Sequence, residues 1–227
     1  MNDRKKQIGH DISTMPTIIQ GGMGIYAFPW WAARTVALLG QLGVVSGTGF
    51  PLVFVRLLQL GDPGGHFRRA LRAFPDQEMA QRILNRYFVP DGIPATQPFR
   101  NIERFSLTPS RELIELTITA NFCQVWLAKE GHRGMIGVNF LEKLQLSHLC
   151  ALYGVFLAGV DCLFMGAGIP VQISGILDKL VQHEPVTYSI YVIGAAKTAE
   201  YQTHFNPRDF ISVALPALKR PLFFPII

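Results

Sequence analysis

Short apolar runs that lead directly into glycine or asparagine recur along this chain. They limit the folds open to it more than any other feature. Thr17-Ile18-Ile19-Gln20 runs into Gly21-Gly22-Met23-Gly24, and Leu42-Gly43-Val44-Val45 into Ser46-Gly47-Thr48-Gly49. Met135-Ile136-Gly137-Val138 runs into Asn139, and Cys162-Leu163-Phe164-Met165 into Gly166-Ala167-Gly168. Each reads as a buried strand whose C-terminal end opens into a loop that exposes its backbone. Helical patterns lie between them. Phe28 to Leu39 is short. Ser110 to Glu130 is longer, with apolar residues at Leu113, Leu116, Ala120, Cys123 and Leu127, a start at Thr108-Pro109 and a stop at Gly131. Leu144 to Leu157 is another. Strands alternating with helices predict an α/β chain built on a parallel sheet or barrel.

Two stretches depart from that rhythm. Residues 50–134 are too long for a simple crossover. Within them His66 to Phe74 carries an apolar face of Phe67, Leu71 and Phe74 opposite Arg68, Arg69 and Arg72. Glu78 to Tyr87 continues as a helix and Pro90 to Pro98 as a loop, so the region reads as a mainly helical insertion beside the barrel. Residues 184–207 alternate at Val186, Tyr188, Ile190 and Val192, and again at Tyr201, Thr203 and Phe205. That predicts an antiparallel hairpin outside the barrel. Leu222 to Ile227 then reads as the next buried strand. This makes about five barrel strands where a closed barrel has eight, and a chain ending on an apolar core strand is expected to be an N-terminal portion of the whole.

Composition narrows the class further. At 227 residues, 49% hydrophobic and 16% charged, the chain can build one sizeable core. Its formal charge of +5, partly in Asp3-Arg4-Lys5-Lys6, is too diffuse to indicate nucleic acid. Cys123, Cys150 and Cys162 form no CxxC pair and sit in apolar contexts, which predicts buried free thiols in a reducing compartment. The N-terminal charges adjoin no apolar stretch of the secretory kind, and a cytoplasmic location is the expectation. Leu149 to Pro170 is long and apolar enough to suggest a membrane span. Asp161 and four glycines interrupt it, however, and a buried helix joined to a buried parallel strand explains it better.

The chemistry is expected at the strand ends. In parallel α/β folds, ligands sit at the carboxyl ends of strands. Glycines there let the backbone approach a flat or phosphorylated ligand. Gln20 could hydrogen-bond a heteroaromatic edge. Read alone, Gln20 to Gly24 serves equally as a tight turn, and Asn139 equally as a turn former or a ligand contact. Together with Ser46-Gly47-Thr48-Gly49 they place three loops on one rim. The histidines show no metal-ligand spacing. His66, in Gly64-Gly65-His66, is expected to open a helix, and His132 to serve in a loop on the opposite side of the sheet.

From Pro16 to Gly24 and again from Leu42 to Gly49, the chain resembles the opening of the nitronate monooxygenase (2-nitropropane dioxygenase) family. The likeness continues through Gly61-Asp62-Pro63-Gly64-Gly65-His66, Arg86-Tyr87-Phe88, Ala120-Asn121-Phe122 and Trp126 to His132. It is close again at Gly137 to Lys143, Ala158 to Asp161 and Met165 to Pro170, so it covers nearly the whole chain. The resemblance implies a TIM-type barrel holding FMN, which with O2 converts small-molecule alkyl nitronates to carbonyl compounds and nitrite. By match to the family's motif, Gln20, Gly21, Gly22, Met23, Gly24 and Asn139 contact the flavin. The family's phosphate-binding glycines and its catalytic histidine come from later strands, and no position up to Ile227 matches them. A related expectation is an enoyl-reductase-like flavoprotein of polyketide or fatty-acid synthesis, which would need a nicotinamide donor. From a different class comes a non-catalytic or split barrel that pairs with a complementing C-terminal half or with a second copy of itself. Neither a membrane nor nucleic acid is expected as a partner.

Overall fold

The computed structural model describes residues 16–194, 196 and 200–226. The basic cluster at Asp3 to Lys6 and the terminal Ile227 lie outside the described residues. In chain order the elements begin with α1 (Trp30–Leu38), β1 (Gly43–Ser46), α2 (Phe50–Gln59), α3 (His66–Ala73), α4 (Gln77–Tyr87) and α5 (Arg111–Lys129). They continue with β2 (Ile136–Leu141), α6 (His148–Leu157), β3 (Cys162–Gly166), α7 (Ile173–Leu180), β4 (Val186–Ile190), β5 (Tyr201–Phe205) and β6 (Leu222–Pro225).

Four strands form one parallel sheet in the order β1-β2-β3-β6. The order never reverses, unlike that of a doubly wound sheet. Each crossover therefore steps the same way, and right-handed connections put the helices on one face. Strand side chains alternate accordingly. Val45, Ile136, Val138, Phe140, Leu163 and Met165 join the large core formed with the helices. Leu42, Val44, Cys162 and Phe164 form a separate cluster on the other face, backed by Met135, Leu222 and Phe224. The result is an α/β fold with a four-stranded parallel sheet, compatible with an arc of a (β/α) barrel. The hairpin of β4 and β5 is antiparallel and stands apart from the main sheet, as its alternation predicts.

Two strand expectations need correction. The segment Thr17 to Gln20 is not a buried strand. It meets the sheet through a single parallel bridge, Ile19 to Leu42, and Ile18 and Ile19 are 62% and 53% exposed. The main-chain ladder there stops after two hydrogen bonds, Leu42 N–H to Ile18 O and Gln20 N–H to Leu42 O, both 3.0 Å. β6 does pair with β3, but as an edge strand it is half-buried to exposed along its length.

α5 is buried nearly all round between Leu113 and Ala128, as an internal helix must be. It is therefore the crossover helix between β1 and β2, and only α2 to α4 sit beside the fold as added structure. Ser110 caps it by accepting from the Leu113 N–H at 3.2 Å. Its buried Glu115 is neutralised by a two-pronged contact from Arg82, at 3.0 Å on each oxygen, and by Arg111 at 2.8 Å. α6 crosses α5 so closely at Gly154 that an added Cβ would lie 2.3 Å from the Ile118 carbonyl oxygen.

Asp161 explains the polar interruption of the apolar run from Leu149. Its carboxylate pairs with Lys129 and, at 3.3 Å, with Lys219, and accepts the Ile136 N–H at 3.0 Å. It ties the N-terminal ends of β2 and β3 to α5, and no helix among the described residues is long and apolar enough to cross a membrane. Cys123, Cys150 and Cys162 are free and buried.

Candidate functional site

The register of the sheet aligns Ser46, Asn139, Phe164 and Phe224 in one row at the C-terminal rim. All four lie on the face away from the helices, with Val44, Gly137, Cys162 and Leu222 in the row below. Phe164 and Phe224 stack, with ring centroids 5.0 Å apart and planes 15° from parallel. Gly137 leaves room for that stack, because a Cβ there would come within 3.0 Å of the Phe164 ring.

Asn139 is the one amide side chain that the sheet strands carry on this mainly apolar face, beside the small hydroxyl of Ser46, and it is only 6% exposed. Its Nδ2 reaches the Met23 sulfur at 3.5 Å, a weak acceptor. Its Oδ1 has no partner. A buried carbonyl-type oxygen left unpaired costs about 1–3 kcal/mol. Such a group is informative because buried polar atoms are nearly always satisfied.

The segment Gln20 to Gly24 arches over this rim. Gly22 is buried against β1: a Cβ would lie 2.6 Å from Val44 Cγ1 and 2.8 Å from the Val45 carbonyl oxygen. Met23 is 58% exposed and Gly24 takes a left-handed φ of 76°. Gln20 is placed differently from Asn139. Its Oε1 accepts the Val44 N–H at 3.1 Å, and its Nε2 donates to the Val44 carbonyl at 3.0 Å and the Gly21 carbonyl at 2.9 Å. Both amide hydrogens are thus committed to backbone, and only a lone pair of Oε1 remains for a ligand.

The other rim loops are mostly structural. Gly47 N–H donates to the Asn139 carbonyl at 3.0 Å and Thr48 Oγ1 accepts the Leu141 N–H at 3.1 Å, so both extend the β1–β2 ladder. Gly168 lies hard against Glu142, whose Oε1 accepts from the Tyr188 hydroxyl at 2.9 Å. That contact ties the β4–β5 hairpin to the end of β2. Just behind it, His148 bonds the Leu141 carbonyl through Nε2 at 3.0 Å and leaves Nδ1 buried without a partner. Burial holds its pKa below the usual histidine value, against smaller opposing effects of Leu141 and Glu142.

The two other histidines singled out above are structural. His66 opens α3, beside the Trp30 ring at 5.0 Å and the Arg69 guanidinium at 3.2 Å. The turn before it is organised by Asp62, which accepts the Phe67 and Arg68 N–H groups at 3.0 and 2.9 Å. His132 bridges the Ala128 carbonyl at 2.6 Å and the Gly134 N–H at 3.0 Å, at the end of the sheet away from the rim. Among the described residues no group of His, Cys, Asp and Glu is placed to hold a metal.

Phe164 and Phe224 were not singled out from the sequence. A signal for Phe164 existed: it stands two residues before the end of its strand, as Asn139 does in β2. The pairing of Glu142 with Tyr188 carries no such local signal, since it joins residues 46 apart.

Comparison with family models, with curated proteins and with solved structures finds no match for this chain.

Proposed function

We propose that this chain is the FMN-binding portion of a TIM-type barrel and serves a flavin-dependent oxidoreductase of the nitronate monooxygenase type. The observation that carries this reading is the unpartnered, buried Oδ1 of Asn139, set beside the Gly22–Gly24 arch on the face away from the helices. An acceptor kept out of water and out of internal pairing suits a ligand that brings a donor. The pyrimidine edge of a flavin carries both N–H and C=O groups. Gly22 suits the same ligand, because its missing side chain keeps the arch low over β1. The residues therefore fit the group that the family resemblance implies.

In that role the Asn139 carboxamide orients the ring edge, and backbone groups of Gly21 to Gly24 line its approach. Gln20 supports the arch through Val44. Phe164 and Phe224 keep water from the face below. Bound FMN would supply the redox chemistry for an O2-dependent conversion of an alkyl nitronate to a carbonyl compound and nitrite. The chain's own part is binding, orientation and exclusion of water.

One observation favours a second reading, a barrel portion completed by another polypeptide. Ile18 and Ile19 leave apolar surface exposed at an open sheet edge. Titration of the purified full chain with FMN, followed by flavin fluorescence, and oxygen uptake with an alkyl nitronate test the first reading. Saturable flavin binding with nitrite release is the expected result. If FMN does not bind, with or without a complementing half, the flavin reading fails. Binding only with that half supports the second.

A further inference from the structure

A cavity of about 760 Å³ opens beside the rim, within the size range of small-molecule sites. It is bounded by Thr117 and Asn121 of α5 and by Ala151 of α6, the helices that cover the opposite face of the sheet from the Asn139 row. Its walls are apolar, with Ile25, Leu52, Phe105, Leu107, Ile190 and Val192 drawn from separate parts of the chain.

The polar groups at its floor are largely engaged within the protein. Thr117 Oγ1 donates to the Leu113 carbonyl at 2.7 Å. Asn121 Nδ2 donates to the Thr117 carbonyl at 3.0 Å, and its Oδ1 accepts from Gln124 at 3.3 Å. Nearer the mouth, Gln145 donates to Glu142 at 3.3 Å and accepts the Tyr191 N–H at 3.0 Å. A polar group pushed deep into this space would lose its water and find few replacements, so a mainly apolar buried part suits it best. Lys143 is the one charged residue of the lining, and among the described residues it is in no ion pair.

We propose that this cavity binds a small amphiphile: an alkyl chain against the apolar walls, ending in a single anionic group opposite Lys143. The cavity lies on the helix side of the rim and the Asn139 row on the other, although the loop of Gly47 and Gly49, with Ile25 next to the arch, borders both. Such an occupant assigns a use to residues 190–192 and 201 in and beside the hairpin and to the loop of residues 102–107, which line the cavity.

Calorimetric titration of the full chain with decanoate, butyrate and decanol, each with and without saturating FMN, tests this. Decanoate should bind saturably and at least about tenfold more tightly than butyrate, since each buried methylene adds to affinity. Lys143→Gln, at an exposed position, should weaken decanoate about fivefold, the effect of one exposed ion pair, and leave decanol unchanged. Leu107→Asn, also exposed, should weaken decanoate and decanol alike by at least about tenfold. No saturable decanoate binding, equal affinity for butyrate, or no effect of Lys143→Gln would overturn the proposal. Decanoate binding by a chain that takes no FMN, even with a complementing half, leaves this site standing and removes the flavin reading. FMN binding without decanoate binding does the reverse.

Discussion

The side chain of Gln20 continues a strand where the main chain leaves it: its carboxamide hydrogen-bonds both the N–H and the C=O of Val44, at 3.1 and 3.0 Å. The backbone of residues 18–20 has just made two ladder bonds to Leu42. One more rung from the side chain satisfies the buried strand β1 and releases Gly21 and Gly22 to rise over the rim. Gln20→Leu should therefore cost stability, about 1–3 kcal/mol for two lost hydrogen bonds to a buried strand. Urea denaturation measures it. A loss below about 0.5 kcal/mol would mean that water serves Val44 as well as Gln20 does.

Gly22 sets how close the arch comes to the sheet. A methyl group at this position would lie within 2.6 Å of the Val44 side chain and 2.8 Å of the Val45 carbonyl oxygen. The carbonyl is fixed by the ladder, so the arch must move instead. Gly22→Ala should lower stability by about 1–3 kcal/mol, the range for overpacking a close contact. It should also weaken FMN binding more than Gln20→Leu does, because the displaced backbone is the ligand-facing part. Equal FMN affinity in Gly22→Ala and the unaltered chain would argue against any ligand resting on this arch.

Much of the fold is legible in the sequence because local chemistry and the final structure agree there. Strands that open into glycine-containing loops, the capped helix α5 and the hairpin all follow from period and punctuation, whereas β2 runs on past Asn139, its expected end, to Leu141. Thr17 to Gln20 is misread for a physical reason. Its composition is that of a buried strand, but an isolated bridge at the sheet's edge leaves its isoleucines in solvent, and burial is set by neighbours that the segment does not encode. The site is legible in part. Asn139 stands out as an amide in an apolar strand, whereas the commitment of Gln20 to Val44 and the stack of Phe164 on Phe224 depend on register between distant segments.

His148 gives the chain an acid-side sensitivity. Burial, the dominant effect, lowers its folded pKa below the unfolded value of about 6.5. A group whose pKa is lowered on folding contributes stability that is complete above the unfolded pKa and is lost as pH falls toward the folded one, because the unfolded chain then binds the extra proton. Stability of the unaltered chain should thus decline as pH drops below about 6.5. His148→Leu removes the titrating ring and the orphaned Nδ1, at the cost of the bond to the Leu141 carbonyl. Denaturation midpoints across this window should show a shallower slope in the variant. Parallel slopes would place the acid sensitivity elsewhere.

Asn139 separates stability from ligand binding. Its Oδ1 is buried without a partner and its Nδ2 has only the Met23 sulfur, so the free chain gains little from this amide. Leucine is close to asparagine in shape and belongs on an apolar face beside Phe164. Asn139→Leu should leave stability unchanged or raise it by up to about 1 kcal/mol, since the desolvation penalty of an unpaired acceptor disappears. The same change removes the acceptor offered to the flavin edge, and FMN affinity should fall about tenfold, the equivalent of one hydrogen bond at about 1.4 kcal/mol. Thermal denaturation without ligand and flavin titration with it measure the two effects on one protein. A variant that loses stability and binding together would mark Asn139 as a packing residue, while unchanged stability with weakened FMN binding is the signature of an amide retained for its ligand.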